Sequence, residues 1–149
     1  MKNKQLKIAI ACDHAAYQLK IDIVQYLASR QIDVLDFGTN NCTVSVDYPD
    51  FACMVAQSIT SRESDFGILL CGTGIGMTIA ANKHNGIRCA LCSDTYSAKL
   101  TRLHNNANVL SMGARVIGSG LALDIVDSFL STEFSNEDRH NKRIAKLEN

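Results

Sequence analysis

The stretch Leu69-Leu70-Cys71-Gly72-Thr73-Gly74-Ile75-Gly76-Met77 decides how this chain is read. An apolar, strand-like run from Phe66 ends in a cysteine, and three alternating glycines lead into an alanine-rich helix. Glycines let backbone N–H groups approach a ligand without interference from Cβ. A helix start adds unpaired donors and the positive end of a dipole, and a cysteine at such a start sits where a thiolate is favoured. The segment therefore offers an anion cradle beside a candidate base or nucleophile. That combination points to chemistry on a small anionic substrate.

Outward from this segment the chain alternates between the same two kinds of element. Residues 6–12, 32–37, 66–71, 87–92 and 107–111 read as strands. Tyr17, Lys20, Ile21, Val24, Leu27 and Ala28 form one helical stripe, with Lys20 its polar exception. A loop covers residues 38–49, and Asp50 is a candidate N-cap for a helix over 51–60. The helix after the glycine loop is expected to end near His84-Asn85-Gly86. Ser93 or Asp94 caps a helix running to about His104, and two further helices cover 121–130 and the charged tail 136–147. Strands without clean alternation, separated by helices of about 10–15 residues, indicate βαβ units and a parallel sheet covered on both faces. In such sheets ligands bind outside the carboxyl ends of the strands. Four polar clusters fall at those ends and are predicted to converge: Asp13-His14, the Cys71 loop, Ser93-Asp94 and Gly113-Ala114-Arg115.

Composition narrows the classes. A chain of 149 residues is sized for one domain with a normal core. Fifteen basic and fifteen acidic side chains leave no net charge, so no global field draws it to nucleic acid or a membrane surface. Its start, Met1-Lys2-Asn3-Lys4-Gln5-Leu6, lacks the apolar stretch of a signal peptide, and no run approaches the roughly 18 apolar residues of a membrane helix. Cysteines at 12, 42, 53, 71, 89 and 92 show no disulfide rhythm, which places the expected setting in the reducing cytoplasm. Cys89-Ala-Leu-Cys92 matches a metal or redox spacing, but in a strand positions i and i+3 face opposite ways, so two small buried residues are the better reading.

Each candidate has a plainer alternative. Gly72, Gly74 and Gly76, with Asp94 about twenty residues on, resemble a dinucleotide fingerprint, yet the spacing is G-x-G-x-G and the loop follows the third strand. A small anion or a purely structural turn also fits. A cysteine such as Cys71 is commonly just a small buried residue. Asp13 is able simply to cap a helix, whereas His14 has an acid/base or anion-binding alternative. His104 lies at a helix end, where a histidine often does no more than cap. Arg139 and Arg143 stand four apart, so one helical face presents two guanidinium forks suited to phosphate. His84, before Asn85-Gly86, reads as a structural helix end.

Taken together, the segments resemble a known set. They are Cys12-Asp13-His14 with Tyr17-x-Leu19-Lys20; Val46-Asp47-Tyr48-Pro49-Asp50; Cys71-Gly72-Thr73-Gly74-Ile75-Gly76 with Ala80-Ala81-Asn82-Lys83; Arg102-x-His104-Asn105; and Asn108-Val109-Leu110-x-Met112-Gly113-Ala114-Arg115. In this order, from about residue 7 to about 145, they resemble the type B ribose-5-phosphate isomerases. The resemblance implies a Rossmann-like three-layer α/β/α sandwich around a five-stranded parallel sheet. It implies an aldose–ketose isomerase of the pentose phosphate pathway that uses no metal or organic cofactor. It also implies a homodimer or dimer of dimers with active sites shared between subunits, the C-terminal helix packing on the partner. By the same resemblance Cys71 is the base, Thr73 and the amides of Gly72, Gly74, Ile75 and Gly76 hold the enediolate oxygen, and His104 opens the furanose ring. Asp13 and His14 contact the sugar, Tyr48 lines the pocket, and Asn105, Arg115, Arg139 and Arg143 match ligand- and phosphate-binding positions. One branch of the family places a glutamate just after the glycine loop; here Ile75-Gly76-Met77 carries no carboxylate. Glu137-Asp138 stands where the family often has Gly-Gly, which bears on the local potential at Arg139. Related chains isomerise allose or galactose 6-phosphate, and that six-carbon alternative stays open, as does a nucleotide-binding module.

Overall fold

Five parallel strands, β1 (Lys7–Cys12), β2 (Asp33–Asp36), β3 (Phe66–Cys71), β4 (Cys89–Leu91) and β5 (Val109–Gly113), form one sheet in the order β2-β1-β3-β5-β4. This is a computed structural model, and it describes residues 5–149. Helices α1 (Tyr17–Ser29), α2 (Tyr48–Thr60), α3 (Ile75–Ala81), α4 (Thr95–Asn105), α5 (Ser119–Ser131) and α6 (Asp138–Leu147) complete it. The first four residues, part of the segment read for a leader, lie outside the described residues. No described helix is long and apolar enough to cross a membrane.

The central strands β1, β3 and β5 are almost wholly apolar because both their faces are buried, whereas the edge strand β2 begins and ends on exposed aspartates. On β1, Ile8, Ile10 and Cys12 enter a layer with Leu19, Ile23 and Leu27 of α1, Ala98 of α4, and Ile125 and Phe129 of α5. Ala9 and Ala11 face the opposite layer, with Val55 of α2 and Met77 and Ala81 of α3. The expected three-layer sandwich is thus present. The small residues matter on the second side: a Cβ at Gly67 would lie 2.6 Å from Val55 Cγ1, so glycine in β3 admits α2 at close range. Cys89 packs in the α2–α3 layer and Cys92 in the other, as strand alternation required. Burial pushes their thiols up to about 12 and about 11, and the Cys12 thiol to about 11.

Several expected boundaries move. The buried face of α1 is Leu19, Lys20, Ile23 and Leu27; Ile21 and Val24 lie at its margin and Ala28 is exposed. Lys20 is fully buried because its Nζ reaches Asp36 Oδ1 and the Thr39 carbonyl, each at 2.7 Å. Helix α2 begins at Tyr48 instead of 51, with Asp47 at the N-cap, Pro49 in the first turn, and Asp50 inside it facing the helix dipole. Helix α3 stops at Ala81, short of His84, because the Asn82 side chain turns to pair with the backbone N–H and C=O of Cys89. β5 runs on past Ser111 to Gly113.

That extension positions the glycine loop. Cys71 is in register with Gly113, and a Cβ at Gly113 would lie 2.6 Å from the Thr73 carbonyl carbon and oxygen. Meanwhile β1 leads to β2 on one side and β3 to β5 on the other, so the chain parts at the carboxyl ends of β1 and β3, where α/β sheets open a crevice. Asp13 and Cys71 stand at that crevice, and the Asp13 N–H donates to the Leu70 carbonyl at 3.1 Å.

Three substitutions test these contacts, each read from the urea midpoint at fixed protein concentration. Gly113→Ala should cost about 1–3 kcal/mol by overpacking against backbone that cannot yield. Gly120→Ala, in α5 with open space around its Cβ, should instead stabilise by about 0.5–1 kcal/mol. Lys20→Met should cost about 1.5–3 kcal/mol, because Asp36 and the Thr39 carbonyl lose a charged donor; an unchanged midpoint would show that the buried ammonium contributes nothing net.

Candidate active site

Cys71 ends β3 with 5% of its surface exposed. Gly74 then adopts φ +78°, a left-handed conformation that favours glycine, and this bends its own N–H back onto Cys71 Sγ at 3.1 Å. A backbone donor aimed at sulfur is the contact that suits a thiolate. The loop is tied down from several directions. Ser111 Oγ, fully buried in β5, donates to the Gly74 carbonyl at 2.9 Å, and Thr78 Oγ1 donates to the same oxygen at 2.8 Å. The N–H groups of Ala114 and Arg115 donate to the carbonyls of Cys71 and Gly72, each at 2.9 Å. Ser111 was missed by sequence reasoning, although a hydroxyl inside an apolar strand is the kind of anomaly that asks for a partner.

The other glycines make room for side chains. A Cβ at Gly76 would lie 2.5 Å from Tyr48 Cζ, so the phenol ring rests directly on the loop. A Cβ at Gly72 would lie 3.4 Å from Arg115 Nη1; the guanidinium is exposed over the loop, and no carboxylate among the described residues pairs with it. Thr73 Oγ1 accepts from the Ile75 N–H at 3.3 Å, which leaves its hydroxyl hydrogen free to donate. Asp13 is buried and caps the turn His14–Ala16, Oδ1 accepting from the Ala15 N–H at 2.9 Å. His14 Nδ1 accepts from the Val46 N–H at 3.4 Å, linking the β1 end to the segment before Tyr48.

Asp94 answers the dinucleotide reading. Its Oδ1 accepts from the Ser97 N–H at 2.7 Å and its Oδ2 from Ser97 Oγ at 2.9 Å, so both oxygens cap α4 and neither is presented to a ribose. These bonds hold its carboxyl below the usual range. Among the described residues no group of three or more His, Cys, Asp or Glu side chains is arranged to hold a metal ion.

The remaining candidates lie elsewhere. Helix α4 starts at the carboxyl edge of the sheet and runs back eleven residues, about 16 Å at the usual helical rise. It therefore delivers His104 and Asn105 to the amino edge, where Arg88, just before β4, donates Nε to the Asn105 carbonyl at 3.0 Å. The His104 ring stacks on His140 of α6, centroids 4.4 Å apart and planes 13° from parallel. Arg139 pairs through Nε with Glu137 at 2.8 Å, so one of the two carboxylates noted beside it does bind it; Arg143 is exposed on the same helix. One chain thus places its candidate residues in two separate groups, two candidate half-sites, at opposite edges of the sheet. Asp13, His14, Tyr48, Cys71, Thr73 and Arg115 occupy one, and His104, Asn105, Arg139 and Arg143 the other.

Comparisons with known proteins bear on the fold and the family. Residues 8–147 match the Ribose/Galactose Isomerase family. Ribose-5-phosphate isomerase B of Escherichia coli is 47% identical over 95% of this chain and 93% of its own. A D-erythrulose-4-phosphate isomerase of Pectobacterium atrosepticum is 49% identical over 87% of this chain and 85% of its own. A solved ribose 5-phosphate isomerase of Thermotoga maritima superposes with a TM-score of 0.93 at 56% identity, covering 96% of this chain and 97% of that one. With the whole fold and nearly the whole length matched, this chain is an isomerase enzyme and belongs to the ribose/galactose isomerase family.

Proposed function

We propose that the chain interconverts D-ribose 5-phosphate and D-ribulose 5-phosphate through an enediolate, a step of the pentose phosphate pathway, with Cys71 as the base. The observation that carries this reading is the Gly74 N–H aimed at Cys71 Sγ at 3.1 Å, in a loop anchored to the neighbouring strand. In the open-chain aldose the thiolate takes the proton from C2, and the electron pair moves through a C1–C2 double bond onto O1. The thiol returns the proton to C1 while the O2 hydroxyl proton passes to O1, leaving the C2 carbonyl. Such a carbon acid is too weak unless the enediolate is stabilised, and one preorganised donor is typically worth roughly 3 kcal/mol. Because the Gly74 N–H serves the sulfur and the Ile75 N–H the Thr73 hydroxyl oxygen, the enediolate oxygen falls to the Thr73 hydroxyl and the amides of Gly72, Thr73 and Gly76. Asp13, His14 and Tyr48 line the sugar. His104 moves a proton from the C1 hydroxyl to the ring oxygen when the furanose opens, and Arg139 and Arg143 hold the phosphate, whose binding energy positions C1 and C2.

This chemistry needs both half-sites, and a second copy supplies the missing one. In the proposed homodimer, or dimer of dimers, α6 and the end of α4 of each subunit face the Cys71 loop of its partner. Ile75, Ile79 and Leu91, half exposed beside that loop, support a face covered by protein. Six unpaired thiols suit a cytoplasmic setting.

Cys71→Ala should lower kcat on ribose 5-phosphate by at least about a thousandfold with the circular dichroism spectrum unchanged. Wild-type turnover in that variant would remove Cys71 from the mechanism. The assay, run with chelator present, includes D-erythrose 4-phosphate, allose 6-phosphate and galactose 6-phosphate. Turnover of one of these without ribose 5-phosphate would keep the chemistry and move the substrate; tight binding of NAD or ATP with no sugar turnover would return the loop to a nucleotide.

Mixing inactive Cys71→Ala with inactive His104→Ala and allowing subunits to exchange tests the shared site. Half the dimers become mixed and each holds one intact site, so about a quarter of wild-type activity should return. No recovery after demonstrated exchange would place both residues in one chain's site.

A further inference from the structure

We propose that His140 is a positioning residue for His104: the stack of one imidazole on the other fixes the ring that opens the furanose. The inference rests on the reading of His104 given above, and its grounds are geometric. The two rings lie 4.4 Å apart and 13° from parallel, one from the end of α4 and one from the first turn of α6. His140 is the buried member, 4% exposed, while His104 is only partly buried and free to meet a ligand. The chain leading into α6 is pinned to α4 as well, the Ser135 N–H donating to the Leu103 carbonyl at 3.2 Å.

His140 Nε2 is buried without a hydrogen-bond partner among the described residues. An imidazolium needs both of its N–H groups satisfied when buried, so an orphaned nitrogen marks a ring that stays neutral. The groups facing it act the same way. Burial first, then the charges of His104, Arg139 and Arg143, hold its pKa below the ordinary 6.5, with Glu137 in opposition. The stack thus sets a flat, buried and neutral ring against the His104 imidazole. A neutral flat partner allows that ring to take and release a proton without turning.

The test compares wild type, His140→Ala and His140→Phe on ribose 5-phosphate and on 4-deoxyribose 5-phosphate, which lacks the hydroxyl that closes the ring. His140→Ala should lower kcat on ribose 5-phosphate by about tenfold or more with KM changed less than about threefold, and leave the 4-deoxy substrate within about twofold. His140→Phe keeps a flat ring and should recover most of the loss, with a pH profile like that of wild type. Equal losses on both substrates, an unaffected Ala variant, or a Phe variant no better than Ala would each overturn the proposal. The His104 Hε1 resonance of the free protein gives a second reading that does not depend on turnover. It should move and titrate differently in His140→Ala, and an unchanged resonance would also overturn the proposal. If wild type turned over neither sugar, the function proposed above would fail while this signal still reported whether His140 sets the His104 ring.

Discussion

The backbone of Thr73 lies so close to Gly113 that no side chain fits between them, and the glycine loop takes its position from that contact. Because the atoms on the loop side are peptide atoms, the placement does not wait on a rotamer. Ser111 holds the same loop from inside the sheet, and the carbonyls of Cys71 and Gly72 are taken up by the amides following β5. The loop is therefore anchored to β5 and the turn after it at several points. Such rigidity has a chemical use, since a displacement of about 1 Å in a reacting group is able to cost on the order of a hundredfold in rate.

Charge is handled locally in a chain that is neutral overall. Lys20 spends its ammonium on Asp36 and the Thr39 carbonyl, fixing the turn after β2 that leads towards Tyr48. Arg115 at one edge and Arg143 at the other pair with no carboxylate among the described residues, whereas Arg139 is shared with Glu137. The guanidinium groups of Arg115 and Arg143 are thus available to an anionic ligand, in a chain whose net charge gives it no general attraction for polyanions.

Much of this was legible in the sequence. β3 was placed to the residue because an apolar run met a glycine, and the opposite facing of Cys89 and Cys92 followed from period-two geometry alone. What stayed hidden depended on contacts distant along the chain. The stripe on α1 was misplaced because Lys20 looked like an intruder until Asp36 was found beside it. The start of α2 was set too late because Pro49 reads as a loop residue when it is in fact an acceptable first-turn residue. Residues of the amino-edge half-site were recognisable by type, but nothing in local periodicity says at which edge of a sheet a helix will end. Ser111 was legible only as the end of a strand and His140 only as a member of the charged tail cluster, because the partner of each lies far away along the chain.

Helix α4 is the ruler of the molecule. Its cap, Asp94, is fixed at one edge of the sheet and His104 rides at the other, with no hinge between. The separation of the two half-sites is consequently quantised in residues instead of being adjustable through a loop. Adding or removing a single residue within it would slide His104 by about 1.5 Å and swing it by about 100° around the helix axis. The length of α4 is thereby constrained, even though its middle turns carry none of the candidate site residues.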